Sequence, residues 1–236
     1  MNIEDVIQTI KVPSQIVLTI FDLQRTLMVK YDEIERRNGV CVPEAPFSID
    51  DRRVQYRIKD LFWRFTEELS EASEELINNS GLFDGMLATP EAWNKQFQDS
   101  KPIRHFLEEV VDALHFLTEA SIVADLDPKK IQSMMLDCEL LHREGMIKPN
   151  KLSASLIEHL MYHNVVAAGL AANCLKNKPW KVSEMPTDKN KFKVYMSDIW
   201  GRFFQLWFTI GGSSSQMYVI YNKKNIVNTW RQDTKY

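Results

Sequence analysis

Apolar positions along this chain recur at helical spacing, and strand signals are weak throughout. Ile16, Ile20, Leu23, Leu27 and Ile34 predict a first helix over 14–37, with Ser14 as its cap after Pro13. Asn38-Gly39 ends it, and residues 39–51 read as a loop through Pro43 and Pro46. A second helix follows over about 52–79, stopped by Asn78-Asn79-Ser80-Gly81. Residues 80–101 read as a connection, anchored by Trp93 and Phe97, into a helix over about 102–124. The Asp125-Leu126-Asp127-Pro128 run opens a helix to about 143. Another spans 152–176, burying Leu156, Leu160, Val165, Ala168 and Ala172. After a polar loop over 177–190, a helical region starts near 191, breaks at Gly211-Gly212 and resumes over about 214–233. The expected fold is an all-α helical bundle in one domain over 1–236.

Two of these helices carry acidic pairs spaced i, i+3. A helix turns about 100° per residue. With Glu68 at zero, Leu61, Phe65, Leu69, Ala72 and Leu76 fall between about 20° and 100°, which defines the apolar face. Glu68 lies at the edge of that face, and Glu71 about 60° to the other side. With Glu109 at zero, Phe116 and Ala120 lie about 20° to either side, so Glu109 sits inside an apolar stripe. Asp112 is on its margin, and Glu108 points outward. Carboxylates on a buried face are costly unless paired or metal-bound, and four converging on one site repel one another. A divalent cation resolves that conflict, and an all-oxygen ligand set suits Mg²⁺ or Mn²⁺. A Glu-rich helix with a solvated acidic face is the simpler alternative for either pair taken alone.

Composition narrows the class. The chain has 236 residues, 44% of them hydrophobic, enough for a substantial core. A net charge of −3 supplies no basic field for nucleic acid. Cys41, Cys138 and Cys174 are far apart, odd in number and form no CxxC, which fits reduced thiols and a cytoplasmic setting. Residues 1–5 lack the basic and apolar regions of a signal peptide, and no apolar run reaches membrane-spanning length. Phosphate-loop, dinucleotide-fold and zinc-protease motifs are absent. His159 and His163 are spaced i, i+4 but lack a third ligand nearby, and read as structural. The aromatic run Trp200, Phe203, Phe204, Trp207 and Phe208 exceeds what one side of a helix buries, so a partner chain is expected to cover part of it.

The tail carries a second constellation. If helical, Lys224, Asn228, Arg231 and Lys235 fall within about 60° of one another, flanked by Asn225 and Gln232. Such a strip of cations and amides can hold phosphate oxygens and a sugar or base edge. An ordinary basic end of a C-terminal helix explains the same spacing equally well. Residues 191–236 are expected to form a helical segment that closes over substrate, with the region 221–235, after a hinge at Gly211-Gly212, loose when empty.

Together these segments resemble the dimeric, all-α dUTP pyrophosphatases, within the superfamily of all-α nucleotide pyrophosphatases. Glu68-x-x-Glu71 resembles the first metal motif of that family, and Glu109-x-x-Asp112 followed by His115-Phe116 resembles the second. Lys224-Asn225-x-x-Asn228-x-x-Arg231-Gln232 resembles its C-terminal substrate motif, and Leu23-Gln24 a pair in its first helix that lines the nucleoside pocket. The family's Trp-Lys segment after the first motif has no counterpart in Asn78-Asn79-Ser80-Gly81, and Met28 stands where the family commonly has Asn. The resemblance implies a homodimer that hydrolyses dUTP to dUMP and pyrophosphate. Glu68, Glu71, Glu109 and Asp112 would hold Mg²⁺, with Glu71 also orienting or deprotonating the attacking water. Lys224, Arg231 and Lys235 would grip the distal phosphates, Gln24, Asn225 and Asn228 would contact the nucleoside, and Tyr236 would close over it. Two alternatives stay open: a pyrophosphatase for another deoxynucleotide such as dCTP, and a non-enzymatic helical interaction protein.

Overall fold

The computed structural model describes residues 9–84, 95, 99–146, 152–176, 178 and 186–234. Within them the chain forms helices α1 (Ile16–Arg37), α2 (Arg52–Asn78), α3 (Ser80–Phe83), α4 (Lys101–Val123), α5 (Pro128–Arg143), α6 (Ala154–Asn173), α7 (Lys189–Thr209) and α8 (Ser214–Thr234). The architecture is an all-α bundle, and the described residues include no strand. Trp93 and Phe97 lie outside the described residues, as does most of the loop over 177–190.

Several starts are capped as their sequences dictate. Asp51, Asp127 and Ser153 each accept a backbone N–H from the first turn they precede. The first helix differs from expectation. It begins at Ile16 with Gln15 at the cap position and no side-chain cap, so Ser14 does not serve as one. The stop after Asn78 is also only partial. A single turn resumes at Ser80 and drives Phe83 into the core, where it meets Phe106 edge-on at 5.2 Å between ring centres.

The longest apolar stripes face each other. α2 buries Leu61, Phe65, Leu69, Ala72 and Leu76, the face read from the sequence, and packs most extensively on α4. α1 lies across α4 and α5, and α8 lies on α1 and α4. α7 is enclosed by α5 and α6. On α6, Leu160 and Ala168 are buried as expected, while Leu156, Val165 and Ala172 are half-buried.

The aromatic run on α7 corrects the expectation placed on it. Trp200, Phe203, Phe204, Trp207 and Phe208 are all at most 1% exposed within the single chain. Trp200, Phe203, Phe204 and Phe208 form one cluster of ring contacts with Phe21, and with Trp207 equally buried no surplus is left for a partner at that place. The Gly211-Gly212 break is packed as well. Trp207 Nε1 donates to the Ser213 carbonyl at 2.9 Å, and a Cβ on Gly212 would lie 2.5 Å from the indole. Gly211 itself takes the left-handed conformation, φ 93°, that lets α8 turn back.

Candidate active site

α2 and α4 bring three of the four expected carboxylates together. One oxygen each from Glu68, Glu109 and Asp112 lies within 4.8 Å of the others. Glu109 is 6% exposed and the other two are half-buried, as the apolar stripes require. Glu71 is exposed and stands outside this cluster, one turn beyond Glu68.

The electrostatics are those of converging carboxylates. Burial, then the Asp112 charge and Glu109 beside it, pushes the Glu68 carboxyl up to about 8. Burial pushes Asp112 up to about 6, against the pull of Lys224. The Lys224 ammonium contacts Asp112 at 2.5 Å; burial pulls the lysine down, but Asp112, Glu109 and Glu108 together outweigh it and raise it. Lys224 thus stands in for positive charge at one corner of the cluster. Three converging carboxylates with a raised acid among them form a ligand set that fits a hard divalent ion. His105 braces the cluster from outside. Its Nδ1 lies 2.9 Å from Glu75 and its Nε2 3.0 Å from Glu109.

A cleft of about 860 Å³ opens beside the carboxylates. Glu68, Asp112, Gln24, His115, Phe116 and Asn228 all line it. Gln24 is only 2% exposed, and its amide is already engaged by Glu119, His115 and Tyr221. Met28 is buried in the core and does not line the cleft, whereas Leu27 does.

The tail residues separate by depth. Asn225 is buried and donates to the Leu23 carbonyl at 3.5 Å, tying α8 to α1. Asn228 reaches the cleft, and Arg231 is exposed near Tyr31. Lys235 and Tyr236 lie outside the described residues. Tyr218 and Tyr221 are buried, and the Ser214 hydroxyl bonds both Glu139 oxygens. The first turns of α8 therefore pack firmly against α1, α4 and α5.

A family model described as dUTPase matches residues 91–236, more than half of the chain. The chain belongs to the dUTPase family. It is a dUTP diphosphatase-type hydrolase, and the all-helical fold agrees with the all-α dUTPases it resembles in sequence. The matched segment contains Glu109, Asp112 and the whole tail motif, while Gln24, Glu68 and Glu71 precede it. No curated protein and no solved structure matches the chain.

Sequence reasoning missed part of this dUTPase cleft. Arg57 and Arg64 line it, as does the buried Glu119. Arg57 contacts Asp32 and Glu119 at 2.7 Å each and Glu35 at 3.3 Å. One signal was available: Arg57 and Glu119 both interrupt apolar stripes, and buried opposite charges seek each other. His105 carried a weaker signal, being four residues before Glu109 and so on its face.

Proposed function

We propose that this dUTPase-family hydrolase converts dUTP to dUMP and pyrophosphate with Mg²⁺, or Mn²⁺, held by Glu68, Glu109 and Asp112, with Glu71 at the rim. The observation that carries this reading is the convergence of the three carboxylates beside a cleft of nucleotide size. Bound divalent ions supply charge neutralisation of the triphosphate and a lowered pKa for the attacking water.

The chain's own side chains do the rest. Glu68, Glu109 and Asp112 fix the site, and His105 and Glu75 hold Glu109 in place. Glu71, exposed at the edge of the cluster, orients the water and takes its proton. Lys224, which contacts Asp112, would bind phosphate oxygens together with Arg231 and Lys235. Arg64 is one turn from Glu68 in the same cleft and 42% exposed, and supplies a cation that the sequence reading did not include. Gln24 and Asn228 face the nucleoside, Asn225 holds the backbone beneath it, and Tyr236 closes over it. Closure involves only the last turns of α8.

We also infer a homodimer in the cytoplasm, as the resemblance implies. Support comes from Tyr56 and Trp63, two turns apart on α2 and 69% and 63% exposed, rather than from the α7 aromatics. Among the described residues no helix is long and apolar enough to cross a membrane. A panel of deoxynucleoside triphosphates with Mg²⁺, scored for pyrophosphate release, tests the reaction. Release fastest from dUTP is the expected result, and release from none of the panel would overturn the proposed reaction.

A further inference from the structure

The outer side of α6 carries metal-ligating side chains of a different kind from the carboxylates of α2 and α4. His159 and His163 lie one helical turn apart, the first exposed and the second half-buried. Their Nε2 atoms face each other at 3.0 Å, with the two rings at 83°.

Spacing alone reads as a structural pair, but the surroundings give the pair no structural task. A structural histidine fills a core, caps a helix or ties two elements together. Here α6 packs on its neighbours through Ile157, Leu160, Met161 and Asn164, on the other side of the helix. Among the described residues neither ring has a hydrogen-bond partner besides the other. The further ring contact of His163 is with Tyr162, on the same helix and itself exposed.

Two imidazole nitrogens that face each other repel if both present a lone pair or both an N–H. Either one ring donates to the other, or a cation lies between two lone pairs. The distance suits the cation. Metal–imidazole bonds are about 2.0–2.1 Å, so two nitrogens 3.0 Å apart subtend roughly 90–100° at a shared ion. That is the angle between adjacent corners of a square or an octahedron, and tetragonal nitrogen and oxygen ligation is favoured by Cu²⁺ and Ni²⁺. Mg²⁺ takes oxygen ligands instead. No third His, Cys, Asp or Glu joins the pair among the described residues, so water fills the remaining corners.

We infer that His159 and His163 form a bidentate site for a nitrogen-preferring divalent ion, Cu²⁺ or Ni²⁺ ahead of Zn²⁺, separate from the carboxylate site. The ring that donates to its neighbour shifts that proton from Nε2 to Nδ1, so both lone pairs meet the ion and no net proton is lost. Both rings already point their Nε2 atoms at one place, which lowers the ordering cost of binding. Nothing in this inference depends on the proposed reaction.

The test is calorimetric titration of the full-length protein with Ni²⁺ in excess Mg²⁺, in the wild type, His163→Ala and Glu109→Gln. The wild type is expected to bind Ni²⁺ at least about tenfold more tightly than His163→Ala, because losing one arm of a chelate removes its effective concentration. Glu109→Gln is expected to keep wild-type Ni²⁺ affinity, which separates this site from the carboxylates. Neither ring belongs to the core, so the metal-free thermal midpoint of His163→Ala is expected to match wild type. If that variant does not fold, His159→Ala is expected to show the same loss. Imidazole nitrogen NMR gives a second readout, in which saturating Zn²⁺, being diamagnetic, is expected to shift the Nε2 signals of both rings together. Equal Ni²⁺ affinity in the wild type and a folded histidine variant overturns the inference. So does Zn²⁺ that leaves either Nε2 signal unmoved.

Discussion

α4 carries two buried acidic sites within three turns, and they are electrostatic opposites. At its far end Glu119 meets the Arg57 guanidinium and the Gln24 amide, which offset the nearby Asp32 charge that shares the same guanidinium. Nearer its start, Glu109 and Asp112 meet Glu68, and Lys224 offsets only one corner. Both sites bury carboxylates, yet one is complete and the other is short of positive charge. The complete one holds the fold and orients its neighbours. The second is the one proposed above to hold cations, which would relieve its repulsion.

That contrast is broken most directly at Glu109. Glu109→Gln is expected to abolish turnover while leaving the metal-free fold as stable as wild type or more so, because it removes one of three like charges. Residual activity above about a tenth, equivalent to less than about 1.4 kcal/mol of barrier, would contradict its role as a ligand. Glu108→Gln on the outward side is the control and is expected to be nearly silent.

The opposite behaviour is expected at the complete site. Arg57→Met strands Asp32, Glu35 and Glu119 without their shared cation. A cost of about 3–5 kcal/mol in denaturant unfolding is expected, the usual range for a buried ion pair stripped of one partner. A loss under about 1 kcal/mol would place this network with weak surface pairs.

How much of this was legible in the sequence follows from the range of each interaction. Helical period placed α4 within one residue at each end, and it put Glu109 in the apolar stripe where it is found. Such facts are local. The pairing of Arg57 with Glu119 is not, since the two belong to different helices and each alone reads as an intrusion. Gln24 read as a free ligand because its second partner, Tyr221, lies 197 residues away. The α7 aromatics read as a surplus because periodicity cannot tell that α5 and α6 enclose that helix. At the glycine break, the Trp207 indole fills the space that a side chain on Gly212 would need, a contact that spacing alone does not show.

A smaller effect sharpens the account of the tail. Arg231 is exposed, and the function proposed above gives it a phosphate contact. Arg231→Ala is expected to lower kcat/KM by about 2 kcal/mol, roughly thirtyfold, through loss of a charge-assisted phosphate contact. Metal binding without nucleotide is expected to be unchanged. Wild-type kcat/KM in this variant would reduce the tail stripe to a helix end obeying its dipole.

The central claim, that Glu68, Glu109 and Asp112 form a cation site, is tested by thermal midpoint against pH with and without Mg²⁺. Glu68 rises from 4.5 to about 8 in the fold, and Asp112 from 3.8 to about 6. Between those limits the folded chain holds protons the unfolded chain has released, so their contribution to stability falls as pH rises. Without metal, the midpoint is expected to drop from pH 5 to pH 8, and the drop to shrink in Glu109→Gln. Added Mg²⁺ is expected to raise the midpoint far more at pH 8 than at pH 5, because the ion competes with those protons. A midpoint that Mg²⁺ and Mn²⁺ leave unmoved at both pH values would contradict the claim.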